Sequence, residues 1–267
     1  MPFSLSTVSA LTLRYLFLYT RHPIRLVELI FWPLVDLLVW GFLTTYLTKQ
    51  GGSAFPVGLG YLIGGMILWD VLFRSQQGVA ISFLEDVWTR NLLNVFVAPV
   101  RTFEYVAATC VVGVLRVVVT LVVLAVVAGL AYSFHLSSFG IGLLPFLGNL
   151  ILFGWSLGMI STALIMRYGQ AAESLAWAVP FFIQPLAAVF YPVSVLPAWL
   201  QPAAMALPCT PVFEGMRTVL SGQPVPWGNI QHALLLNTVW GLLAALFFAA
   251  NLRHVRKSGL LVKVATQ

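Results

Sequence analysis

Residues 190–222 read FYPVSVLPAWLQPAAMALPCTPVFEGMRTVLSG. The stretch is too apolar for an ordinary solvated loop, yet Pro192, Pro197, Pro202, Pro208 and Pro211 forbid one continuous helix. Two short helices fit, over residues 198–206 and 212–220, with Gly222 as a stop. Each is too short to cross a bilayer, which takes about 20 residues. Such pieces can enter the membrane and return where protein buries their broken backbone. The alternative is an amphipathic loop lying on the membrane surface.

The rest of the chain agrees with a membrane setting. Of its 267 residues 60% are apolar and 8% charged, against about 25% charged in a soluble domain. That length suits one domain of about six spans. The net charge of +6 does not point to nucleic acid, because the basic residues sit beside apolar runs, where lipid headgroups account for them. Cys110 and Cys209 fall at different expected depths, which argues against a disulfide. The N-terminus lacks an early basic cluster and Arg14 interrupts its apolar stretch, unlike a cleavable signal.

Taken in order, residues 1–26 carry Leu5, Val8, Leu11, Tyr15 and Leu18 at helical spacing, as expected of an interfacial helix. Spans are expected over about 27–46, 57–83, 106–132, 143–166, 175–189 and 230–252. Pro33 lies in the first, and Pro180 and Pro185 should kink the fifth. Lys49 to Gly52 make a short turn, and His22, His135, His232 and His254 fall in connections or near span ends. Gly60 with Gly64, and Gly154 with Gly158, are spaced for close helix packing. Between the second and third spans lies EDVWTRNLLNVFVAPVRTFEY, residues 85–105. Glu85, Asp86, Arg90, Asn91, Asn94, Arg101 and Glu104 are expected to return the chain to water there. Val87, Leu92, Leu93, Val95 and Phe96 supply an apolar side, and Pro99 ends any helix. Residues 253–267 form a basic tail with Arg253, His254, Arg256, Lys257 and Lys263.

Lysine and arginine placement sets the expected orientation. Arg14, Arg21, Arg25, Arg90, Arg101, Arg167 and the basic tail fall on one side, with only Lys49 and Arg217 on the other. Both termini are then cytoplasmic and the span count is even.

Several chemistries find no motif. There is no G-x-x-x-x-G-K-[ST] phosphate cradle, no H-E-x-x-H and no metal-ligand spacing among the histidines. The charges expected inside spans are Asp36, Asp70, Arg74 and Arg116, and such groups are expensive enough to mark function or a structural ion pair. Asp70 and Arg74 are four apart and share a helix face. Arg116 is expected in the inner leaflet, with its head snorkelling to the headgroups. Glu28 and Glu173 are expected at the interface. Most tryptophans fall near span ends, as an interfacial belt does, while Tyr191, Trp199 and Phe213 are candidates to line an exit path.

Pro197, Pro208, Pro211, Glu214, Arg217 and Gly222 resemble the pattern before the last span of ABC-2 type exporter permeases. The resemblance covers nearly the whole chain by order and spacing. It implies an all-α integral membrane fold: an N-terminal interfacial helix, six transmembrane helices, a cytoplasmic coupling helix within 85–101 and a re-entrant hairpin within 190–222. Glu85, Asp86, Arg90, Pro99 and Arg101 then belong to the segment that presses on an ATPase. The resemblance implies two permease copies or related chains, two separate ATPase subunits carrying ATP and Mg, contacts with lipid, and a multi-pass location in a bacterial inner membrane. The chain itself is then no enzyme, and no cofactor, metal or nucleic acid is expected on it. The exported substrate would be amphiphilic, glycan-like or lipid-like. A secondary transporter remains an alternative, against which stands the lack of an internal repeat. So does a membrane-embedded enzyme or assembly factor, against which stands the lack of a catalytic constellation.

Overall fold

The computed structural model describes residues 3–21, 23–51 and 56–258. His22, Gly52 and Lys263 lie outside them, as do the side chains of Leu93 and Phe96. The described residues form α1 (Leu5–Thr20), α2 (Pro23–Gly51), α3 (Pro56–Trp88), α4 (Leu92–Val97), α5 (Thr102–Tyr132), α6 (Leu143–Tyr168), α7 (Leu175–Ile183), α8 (Gln201–Met205), α9 (Cys209–Leu220) and α10 (Trp227–Lys257), with no strand among them. Among the described residues four helical stretches are long and apolar enough to cross a membrane: Pro23–Leu47, Thr102–Tyr132, Leu136–Tyr168 and Trp227–Lys257.

Helix α3 also has the length to cross and carries Asp70, Arg74, Gln76 and Gln77 within it. Its position explains how that polarity is tolerated. From Ile63 to Val87 every residue except Phe73 is buried, because α2, α5, α6, α7 and α9 all pack on it. Lipid would leave its polar groups unsatisfied, whereas neighbouring helices supply partners. Ser75 Oγ donates to the Ile151 carbonyl at 2.9 Å, and Gln76 Nε2 donates to Ser161 Oγ at 3.1 Å and the Ala176 carbonyl at 3.0 Å. Asn237 of α10 similarly donates to Asn149 of α6. The apolar core divides into one cluster around Phe139, Phe146, Phe153 and Phe213, a second around Phe83, Leu84, Ile165 and Val255, and a small third where Val8 and Leu11 of α1 meet Ala108 of α5.

Glycines set how closely the helices approach the central one. Gly154 and Gly158 of α6 lie against α3: a Cβ at Gly154 would come within 2.7 Å of the Leu72 carbonyl oxygen, and one at Gly158 within 2.7 Å of Val79 Cβ. The tightest approach pairs Gly78 of α3 with Gly113 of α5, which no sequence spacing announces. A Cβ on Gly78 would overlap the Gly113 backbone, while one on Gly113 would lie 3.1 Å from the Ser75 carbonyl oxygen. Gly78→Ala should therefore cost about 1–3 kcal/mol of stability and Gly113→Ala less. Melting of the detergent-purified chain checks this, and equal melting of both variants would contradict it.

The expected fifth span over 175–189 is shorter than foreseen. Helix α7 stops at Ile183, so Pro185 lies beyond the helix rather than kinking it. Pro180 and Pro185 both lack an amide donor, and turns replace the helix through Ala188, a non-glycine residue at φ 53°. The two short helices of residues 190–222 are present with moved boundaries. Residues 197–200 form a turn, with Leu200 N donating to the Pro197 carbonyl at 2.8 Å, and α8 starts only after it. Helix α9 begins earlier, at Cys209. Pro211 falls in its first turn, where the missing N–H costs least. Residues 209–213 and 215–217 of α9 are buried, in contact with α3, α6 and α10.

Candidate functional site

The turn region is held by a pair the sequence made visible. Glu214 and Arg217 of α9 pair at 3.0 Å. The Glu214 carboxylate also accepts the Val193 N–H at 2.8 Å, and Arg217 Nη1 donates to the Ala188 carbonyl at 2.9 Å. Both side chains thus satisfy irregular backbone that no helix covers. Tyr191 donates to the Pro185 carbonyl, and Pro208 caps α9. Pro197 and Trp199 are exposed, whereas Phe213 is fully buried and fills the core rather than lining a surface. Gly222 takes φ 81° just past α9, the left-handed stop expected of it.

At the other end of the bundle the structure corrects two expectations. Glu85 and Asp86 do not return the chain to water. They are the last buried turn of α3, and α1 covers them. Asp86 accepts hydrogen bonds from Tyr15 Oη at 2.6 Å and Tyr105 Oη at 2.9 Å, and pairs with Arg14. Burial pushes the Tyr15 phenol up to about 12, so it stays protonated and donates. Glu85 accepts from Tyr19 Oη at 2.9 Å and pairs with Arg25 at 3.2 Å. Glu104, also expected in water, is buried as well. It accepts the Arg101 N–H at 3.0 Å and the Ser4 N–H at 2.9 Å, tying the start of α1 to the start of α5. Three carboxylates therefore hold α1 at its start, middle and end.

The second correction concerns Arg116, which does not snorkel. Its guanidinium is buried against Glu85 at 3.7 Å, over the Tyr19 ring at 4.7 Å, with Nη1 donating to the Gln77 carbonyl at 3.4 Å. Only the rim of the 85–101 segment reaches solvent. Arg90, Asn94, Pro99 and Arg101 are exposed, Val97 is 86% exposed, and the six-residue α4 is anchored by buried Leu92 and Val95.

Tyr19, Arg25, Glu85 and Arg116 of this latch also line a cavity of about 790 Å³ bounded by α1, α2, α3, α5 and α7. Arg74 and Asp70 pair at 3.1 Å beside it, as their spacing predicts, and Arg74 Nη1 also donates to Gln77 Oε1 at 3.1 Å. Asp36 borders the same cavity from α2, so three of the four charges expected inside spans face one space and the fourth, Asp70, stands just behind. Sequence reasoning missed Tyr15, Tyr19, Tyr105 and the walls Trp32, Phe73, Trp177 and Phe181. The signals available were Tyr15 and Tyr19 one helical turn apart, and Arg14 inside an apolar run.

A family model described as ABC-2 type transporter matches residues 7–221, from α1 through α9. No curated protein matches the chain.

Proposed function

The chain belongs to the ABC-2 type transporter family, and on that premise we propose that it works as the membrane half of an ATP-driven exporter, moving an amphiphilic, glycan-like or lipid-like substrate. It is a multi-pass membrane protein and the permease component of such a transporter, and it carries no phosphate cradle of its own. ATP and Mg then bind two separate ATPase subunits, and two permease copies or related chains form the path. In this reading α2, α3, α5, α6 and α10 are spans, the nine-residue α7 with the turns that follow it makes the sixth crossing, and α8 with α9 is a re-entrant hairpin. Both termini lie in the cytoplasm of a bacterial inner membrane.

The observation that carries the reading is the mounting of α4. This short helix is exposed at its tip and rooted in α3 and α5, directly beside the Asp86 latch. A push on α4 reaches the ends of two spans and α1 together. Arg90, Pro99 and Arg101 frame the contact, while Glu85 and Asp86 transmit rather than touch.

The test uses the full chain with its ATPase. The purified chain alone should hydrolyse no ATP, and the complex should. Val97→Asp, on the exposed tip, should sharply reduce the ATPase recovered with the chain while melting stays as in wild type. Hydrolysis by the chain alone, or undiminished assembly with this variant, would overturn the proposal.

A further inference from the structure

Helix α2 presents Glu28, Trp32 and Asp36 at intervals of four, so the three share one face, and that face borders the cavity. Asp36 stands two turns beyond Glu28, about 12 Å further along the helix axis. Neither carboxylate has a hydrogen bond or ion pair among the described residues. The cavity's cations are all taken: Arg74 by Asp70 at 3.1 Å, Arg25 by Glu85 at 3.2 Å and Arg116 by the same Glu85 at 3.7 Å. With Asp70 behind Arg74, three guanidiniums face four carboxylates.

A carboxylate on an apolar helix is expensive, and Asp36 stands exposed along the cavity with no cation of the described residues beside it, which leaves it open to a ligand. The walls around it are aromatic. Phe73 packs against Trp177 and Phe181 with ring centroids 6.5 and 5.5 Å away, and Trp32, Trp177 and Phe181 keep exposed faces. A second, independent sign of a polar ligand is Gln77. It borders the cavity, is 3% exposed, and its Nε2 donor has no acceptor, which calls for an oxygen on the ligand in addition to its cationic group. Acid and aromatic faces together attract a cation with apolar substituents, through charge pairing and cation–π contact.

We propose that the cavity between α2, α3 and α7 binds an amphiphilic organic cation, with Asp36 as its counter-ion, Trp32, Phe73, Trp177 and Phe181 as its apolar walls, and Glu28 at the approach. The proposal rests on the exporter reading, in which this cavity is part of the substrate path.

Two ions of similar shape and opposite charge test it: tetraphenylphosphonium and tetraphenylborate. Saturable binding of each to the full chain in phosphatidylcholine nanodiscs is measured against empty nanodiscs. The wild type should bind the phosphonium more tightly than the borate. Asp36→Asn should weaken phosphonium binding by about ten-fold or more, and Asp36→Glu should largely retain it. Asp36 has no partner among the described residues, so Asp36→Asn should melt like wild type. The wild-type preference between the two ions decides the point even if a variant fails to fold. Tighter binding of the borate, lost in Trp177→Ala and unchanged in Asp36→Asn, would overturn the cation while leaving the cavity as the path. Saturable binding of neither ion would overturn both the cation and the cavity's place in the exporter reading.

Discussion

Asp86→Ala should free α1 from the bundle and lower stability by about 3–5 kcal/mol. The carboxylate is fully buried and serves three donors: the Tyr15 and Tyr105 hydroxyls and Arg14. Removing it leaves two buried phenols without their acceptor and one partly buried guanidinium without its counter-charge. Each such group carries its own desolvation cost, so the loss exceeds that of one hydrogen bond. Tyr15→Phe deletes one donor only and should cost about 1–1.5 kcal/mol. Two readouts are needed. The melting temperature in detergent reports stability, and protease sensitivity of the α1–α2 junction reports whether α1 has lifted. A variant that melts like wild type with α1 still protected would show that Asp86 does not anchor this helix. A variant that melts early with α1 protected would place its role in the α3–α5 contact through Tyr105.

The second large effect concerns Asp70 and Arg74. Both are buried, their ion pair measures 3.1 Å, and Gln77 is the other hydrogen-bond partner of Arg74. Asp70→Ala strands a guanidinium inside the bundle and should cost about 3–5 kcal/mol. Replacing both, with Asp70→Leu and Arg74→Met, removes the two charges together. Buried pairs exchanged for apolar residues of similar volume are often neutral in stability, so the double variant should recover most of the loss. Transport by the assembled complex then separates two roles. A stable but inactive double variant would place the pair in the substrate path beside Asp36. A stable and active one would make it structural. If Asp70→Ala alone melts like wild type, the pair does not hold α3.

Much of this architecture was legible from local pattern. Apolar runs locate α2, α5, α6 and α10, because a span must present apolar side chains on every lipid-facing side. The prolines of residues 190–222 announce two short helices, since each removes a donor whatever surrounds it. Asp70 with Arg74, and Glu214 with Arg217, are pairs within one helix, and helical periodicity alone brings them together. What the tertiary structure decided is every partnership between distant segments. Glu85 and Asp86 look like a return to water because they follow an apolar run, and nothing local says that α1, some seventy residues earlier, will lie across them. Arg116 looks like an inner-leaflet arginine until α3 brings Glu85 beside it. Asp36 looks like any charge within a span until it proves to be exposed along the cavity, whose cations are paired elsewhere. Hydropathy and spacing report what a residue requires from its surroundings. Which remote group meets that requirement depends on how the helices pack around α3, and that packing depends on backbone contacts such as Gly78 against Gly113, where side-chain pattern carries no signal.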